Sequence, residues 1–299
     1  MNDHSFHFSE VDLAKVYMLI QVLNGLVYGA LLFALASGLA LMFGLRRIVN
    51  FAHGSLYMLG AYVGYAVSTH AGFWTGLLVA ALALAFLGAA LDVLVFRPLQ
   101  DKDPLITLLV TFGVALIAED VVQSIWGNDT LALAEPVLLT GTLQIPGTTF
   151  PIYRLAIIAF GALVAGGLAA WLRLTRVGLF VRAASFNPTV AAIQGVDTDR
   201  VSALVVAVGA ALAGASGVVA APLLSLAPSM AADILVDSFI VVVVGGLGSL
   251  AGAFVTALLL GQINVLGIVF LPELTALLPF ILMVGVLIWK PTGLAGNRL

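Results

Sequence analysis

The feature that most limits how this chain can fold is the length of its charge-free apolar runs. No Asp, Glu, Lys or Arg interrupts Val16 to Leu45, and none interrupts Ile48 to Leu91. A bilayer core of roughly 30 Å is crossed by about 20 apolar residues, so the first run holds one span and the second holds two. The natural cut in the second is Ser68 to Trp74, where Ser68, Thr69 and His70 precede an interfacial Trp. Further spans are read over Pro104 to Trp126, Ile152 to Leu172, Val201 to Leu223, Ala232 to Gly246, Ser249 to Phe270 and Leu274 to Trp289. The expectation is an all-α fold: a polytopic transmembrane helix bundle of eight or nine spans, one membrane domain over residues 1–299. Eight is the count if Ala232 to Gly246, short and carrying Asp233 and Asp237, is a re-entrant or broken helix ending in Val244 to Ser249.

Composition excludes the soluble alternatives. Hydrophobic residues make up 62% and charged residues 9%, against about 25% charged in soluble domains. A net charge of -3 leaves no basic face for a phosphate backbone, so nucleic acid is not an expected partner and the lipid bilayer is. The absence of Cys removes disulfides, thiolate metal sites and Cys nucleophiles. Residues 1–15 read as a retained polar tail, because Asp3, Glu10 and Asp12 against Lys15 reverse the charge of a cleavable signal.

The cations set an orientation. With the N-terminus outside, nine alternating spans put Arg46, Arg47, Arg97, Lys102, Arg173, Arg176, Arg182, Arg200, Lys290 and Arg298 inside and only Lys15 and Arg154 outside. This satisfies the positive-inside rule and makes the C-terminus cytoplasmic. Small residues recur at four-residue spacing in Gly25/Gly29, Gly60/Gly64, Gly209/Ala213/Gly217 and Gly248/Gly252. Such pairs bring helix backbones together in lipid, within one bundle or against a second subunit.

Several chemistries have no carrier. No Gly-rich loop ends in Gly-Lys-Ser/Thr, so no ATPase site is expected, and no His-Glu-x-x-His is present for a metal. Gly214-Ala215-Ser216-Gly217 is similar to the Gly-x-Ser-Gly of rhomboid proteases, but no His follows residue 70 to activate the Ser. Asp92, Glu119 and Asp120 lie near span ends, where a proton relay in an ion-coupled transporter competes with snorkelling or, for Asp92, pairing with Arg97.

The connection from Arg173 to Arg200 is more than a linker. Asn187 is an N-cap, Pro188 suits a first helical position, and Gly195 closes a short helix in the left-handed region, which predicts a helix over Pro188 to Gln194. Its Val190, Ala191 and Ile193 form a small apolar face that requires a cover, either the membrane domain or a groove on a partner.

These residues carry a resemblance. Arg182-Ala183-Ala184-Ser185-Phe186-Asn187, with Ala191 to Val196 and Arg200, resembles the Arg-Ala…Ala…Gly loop of importer permeases, and more specifically the branched-chain amino acid ABC permease family. Gly44 to Gly54 with Met58 to Tyr62, Phe96-Arg97-Pro98-Leu99, Val244 to Ser249 with Gly252, and Lys290-Pro291-Thr292-Gly293-Leu294 add to it in the family's order. The Arg46-Arg47 pair and Thr292, where the family often has Gln, are departures.

The resemblance implies a permease of the bacterial inner membrane, not an enzyme, that binds no cofactor itself. Its partners would be a second permease subunit, a pair of cytoplasmic ATPase subunits that use the ATP, and an extracytoplasmic substrate-binding protein. Substrates would be branched-chain or related amino acids, or alternatively urea or short-chain amides. ATPase coupling would rest on Arg182, Ala183, Asn187, Pro188, Val190, Ala191, Ile193 and Gly195. Asn50, His53 and Gly54, in a Gly-bounded turn, and Gly245, Gly246 and Gly248 are the candidates for a path or gate. For Asn50 and His53 the competing role is structural, such as capping.

Overall fold

The computed structural model describes residues 10–296 apart from Val49, Asp101 and Pro146, with side chains from residue 14 onward. Most of the expected tail therefore lies outside the described residues, as does Arg298. From Glu10 the chain is already helical. The helices are α1 (Glu10–Arg46), α2 (His53–Ala71), α3 (Phe73–Leu91), α4 (Pro104–Trp126), α5 (Ile152–Leu174), α6 (Arg176–Phe186), α7 (Pro188–Ile193), α8 (Thr198–Ala220), α9 (Met230–Gly245), α10 (Leu250–Phe270) and α11 (Leu278–Trp289).

Helices α1 and α8 form the centre of the bundle. Every residue from Gly29 to Met42 is buried, as is every residue from Ala213 to Ala220. Lipid tails are as apolar as Leu, so association comes from close packing, and small residues permit it. A Cβ on Gly60 of α2 would stand 2.2 Å from Cα of Gly214 on α8, and one on Gly38 of α1 would stand 2.6 Å from the carbonyl oxygen of Gly209. Gly25 and Gly29 of α1 meet Gln262 and Ala257 of α10 in the same way. The four-residue spacings thus serve contacts within the chain.

The outer helices turn large apolar side chains outward. On α4 the exposed residues include Leu105, Leu109 and Ile117, while Thr107, Thr111, Ala118 and Val122 form its buried stripe. Glu119 accepts a hydrogen bond from Gln123 one turn on, at 3.3 Å.

Among the described residues, six helices are long and apolar enough to cross a membrane: Ala14–Arg46, Phe73–Phe96, Pro104–Trp126, Ile152–Leu174, Thr198–Ala220 and Leu250–Phe270. The other expected spans fall on α2, rich in Gly, Ser, Thr and His, on α9 with 16 residues, and on α11 with 12. At 1.5 Å per residue α9 and α11 reach only about 24 and 18 Å.

The chain is mostly helical, and one short hairpin adds to the expected bundle. Between α4 and α5, strands β1 (Thr142–Ile145) and β2 (Thr148–Pro151) pair antiparallel. β-branched Thr and Ile favour the extended form, and Phe150 anchors the hairpin by burying its ring. This end of the bundle also holds the Tyr153 hydroxyl, which donates to the carbonyl of Val219 at 2.7 Å.

Candidate coupling face and gate

At the opposite end, α1, α3 and α8 are tied by one carboxylate. A turn of π-helix, Asp92–Phe96, extends α3, with the amide of Arg97 donating to the carbonyl of Asp92 at 2.8 Å. The Asp92 side chain is fully buried. Arg46 donates to it from Nε at 3.2 Å and from Nη2 at 3.1 Å to each oxygen, and Ser202 Oγ of α8 donates at 2.8 Å. Arg97 stands farther off at 3.7 Å and reaches Asp199 at 3.8 Å. Sequence reasoning offered Arg97 as the partner of Asp92, whereas Arg46 is the closer one. It lies 46 positions away, with no local pattern to announce it.

Beside this cluster lies the segment from Arg173 to Arg200, for which coupling is the expectation. Asn187 Oδ1 accepts from the amide of Val190 at 3.1 Å, and Pro188 opens α7. Gly195, at φ +86°, ends it: its amide donates to Ala192 and that of Val196 to Ala191, each at 3.0 Å. The last carbonyls of the short helix are satisfied by this reversal. Helix α6 was missed at the sequence level. Its signal is Thr175, whose Oγ1 accepts from the amide of Gly178 at 2.9 Å as an N-cap.

The expected apolar face is divided. Ala191 is only 4% exposed and packs with Val181, Ala184, Val201 and Val205. Val190 and Ile193, at 52% and 77%, point outward with Phe186 of α6. The reason is helical phase, since Ala191 is the residue turned toward α6 and α8. Arg182, Asn187, Pro188 and Gly195 are exposed and Ala183 is half-buried. A cavity of ≈ 360 Å³ separates α6 and α7 from Arg46, Arg47 and Gln100.

The turn after α1 folds back into the bundle. Arg47 adopts φ +53°, and His53 ends with Nε2 3.0 Å from the carbonyl oxygen of Leu35. Leu35 precedes the end of α1 by 11 residues, about 16 Å along the axis. Asn50 is buried, and its Oδ1 accepts from the amide of Ala52 at 3.0 Å. The amide of Phe51 donates to Thr111 Oγ1 of α4 at 3.3 Å. Gly54 lies where α2 crosses α9, since a Cβ there would stand 2.1 Å from the carbonyl oxygen of Ala231.

Gly245 packs on Gly252 of α10, whose Cβ would stand 1.8 Å from the Gly245 carbonyl oxygen. Gly246 and Gly248 turn the chain at φ +102° and +81°. On this turn rests the C-terminal segment: the amides of Leu294 and Ala295 donate to the carbonyls of Val244 and Gly245 at 2.8 and 3.0 Å. Two motifs separate in sequence thus cap the end of α9 together.

Residues 21–287 match the family model described as branched-chain amino acid transport system / permease component. The chain is 31% identical to the high-affinity branched-chain amino acid transport system permease protein LivH of Escherichia coli K12, over 94% of this chain and 96% of that protein. BraD of Pseudomonas aeruginosa, named likewise, is 28% identical with the same coverage. The probable branched-chain amino acid transport permease protein LivH of Methanocaldococcus jannaschii is 26% identical over 80% of this chain and 78% of that protein. No solved structure matches the chain. The matched span takes in the capped α7, the buried Asp92 and the Val244 to Ser249 turn, and it establishes that the chain belongs to the branched-chain amino acid transport permease family.

Proposed function

We propose that the chain is the membrane-spanning permease subunit of an ATP-driven importer for branched-chain or related amino acids, taking substrate handed over by an extracytoplasmic binding protein. The observation that carries this reading, beyond family membership, is the outward apolar edge of Phe186, Val190 and Ile193. It lies on the same bundle end as Arg46 and Arg47, across the cavity from them, and the positive-inside rule favours the cytoplasmic side for that end. A groove on a cytoplasmic ATPase subunit is the occupant this edge suits.

In this reading the cation-rich end is cytoplasmic, the N-terminus lies outside, and the C-terminus lies inside. Helices α1 to α5 and α8 to α11 make nine crossings of one membrane domain, with the segments flanking α9 and α11 completing their short helices. A second permease completes the path. A pair of ATPase subunits binds and hydrolyses ATP, and this chain is neither an enzyme nor a cofactor carrier.

Coupling then follows from stiffness. Helix α7 is capped at both ends, its Ala191 is packed toward α8, and Asp197 caps α8 by accepting from the amide of Arg200 at 3.0 Å. Displacement of α7 by ATPase closure is passed to the central helix as a rigid-body shift between two packings of the bundle.

The test is reconstitution. Uptake of leucine into proteoliposomes is expected only with ATP, the ATPase subunits, the second permease and the binding protein together. Uptake by this chain alone, driven by an ion gradient, would overturn the reading.

A further inference from the structure

Helix α6 begins where a membrane-crossing helix stops. Among the described residues α5 is one of those long and apolar enough to span a bilayer, and only Thr175 separates its last residue, Leu174, from Arg176, the first of α6. The two helices fold tightly together at this corner, since a Cβ on Gly178 would stand 2.3 Å from the carbonyl oxygen of Trp171 and 2.4 Å from that of Leu172. The first turn of α6 therefore lies level with the last turn of α5, where a span leaves the hydrocarbon core. Trp171, a side chain of the interfacial type, marks the same level.

The two faces of α6 differ. Gly178, Val181 and Ala184 are buried, the last two in one cluster with Leu168 of α5 and Val201 and Val205 of α8. Outward stand Leu179 and Phe180, 54% and 41% exposed, with the exposed Arg176 and Arg182. At about 3.6 residues per turn, Leu179 falls between the two arginines and Phe180 on the other flank of Arg176. Exposed Leu174 and Arg173 continue the pattern onto the end of α5. Apolar side chains flanked by arginines, whose long stems let the charge reach the headgroups, suit a helix lying in a membrane interface. The charge here is of one sign: from Pro136 to Val196 the chain has no Asp or Glu. Among the described residues, Arg173, Arg176 and Arg182 enter no salt bridge.

We propose that the outward face of α6, with Leu174 and Arg173 from the end of α5, is seated on anionic phospholipid of the leaflet at this end of the bundle. The upper parts of the acyl chains cover Leu174, Leu179 and Phe180. The lipid phosphates pair with the guanidiniums of Arg173, Arg176 and Arg182, whose planar forks match phosphate oxygens. The edge assigned above to the ATPase subunit, Phe186, Val190 and Ile193, lies at the far end of α6 and on α7. This inference goes beyond the importer reading and needs only that α5 crosses the bilayer.

The absence of native Cys allows single-site labelling. The full chain with Leu179→Cys, carrying a nitrobenzoxadiazole fluorophore, is reconstituted in liposomes of phosphatidylethanolamine, phosphatidylcholine and phosphatidylglycerol. Thr189→Cys, at an exposed position of α7, is the water-facing control. The label at position 179 is expected to be shielded from aqueous iodide, and the label at position 189 to be open to it. Phosphatidylglycerol spin-labelled near its headgroup is expected to quench the label at position 179 at least twofold more than phosphatidylcholine labelled alike at the same mole fraction. This preference is expected to vanish in the triple variant Arg173→Gln, Arg176→Gln and Arg182→Gln. It is expected to persist in Arg173→Lys, Arg176→Lys and Arg182→Lys, and lipid quenching to stay unchanged when ATPase subunits are added. Iodide access at position 179, equal quenching by the two lipids, or a preference that survives the Gln variant overturns the proposal. Loss of lipid quenching on ATPase addition also overturns it, by assigning this face to the ATPase.

Discussion

Arg46, in the last turn of α1, holds both oxygens of the fully buried Asp92 at the end of α3 at 3.1 Å, and Ser202 of α8 donates to the same carboxylate. One acidic side chain thereby fixes the relative position of three helices at the end of the bundle where α6 and α7 sit. Asp92→Ala is expected to leave the Arg46 guanidinium, itself largely buried, with only the more distant and half-exposed Asp199, at 4.0 Å, as a counter-charge. Breaking such a pair on one side costs about 3 to 5 kcal/mol. The variant is expected to melt several degrees lower in detergent, whereas Arg46→Lys, which keeps the charge but loses the fork, falls by less.

The divided face of α7 separates docking from folding. Ile193→Glu adds a charge at an exposed position and is expected to abolish co-purification of the ATPase subunits while expression and melting temperature stay unchanged. Ala191→Glu forces a carboxylate among Val181, Ala184 and Val205 and is expected to lower folded yield severalfold, because an unpaired buried charge cannot be accommodated. Full ATPase binding by Ile193→Glu would remove α7 from the docking role.

The small-residue contacts predict a sharp positional difference. Gly60→Leu collides with the backbone of Gly214 and is expected to destabilise the bundle by at least the 1 to 3 kcal/mol typical of overpacking, read as loss of monodisperse protein. Gly113→Ala on α4 meets nothing within 4 Å. It is expected to be neutral or to stabilise by up to about 1 kcal/mol through helix propensity.

Truncation after Lys290 removes the donors that satisfy the carbonyls of Val244 and Gly245. Each buried group left without a partner costs about 1 to 3 kcal/mol. The truncated chain is expected to show increased proteolysis within the Val244 to Ser249 turn, while the helix pairs of α2, α3 and α8 remain protected. An unchanged cleavage pattern would show that the C-terminal segment contributes nothing there.

The sequence by itself determined the membrane class, the positions of the long helices and the caps of α7, because these depend on near neighbours. Charge-free length marks a span, and Asn187, Pro188 and Gly195 act within a few bonds of their own backbone. The family could be recognised for the same reason, from short strings in order. What only the tertiary structure decided are the relationships between distant positions: Arg46 with Asp92, the C-terminal segment on the α9 turn, and the inward phase of Ala191. In lipid every outward face is apolar, so hydropathy does not tell which side of a helix meets another. That choice is made by backbone-to-backbone fit at residues such as Gly60 and Gly214, and by polar groups that find each other once the helices have packed.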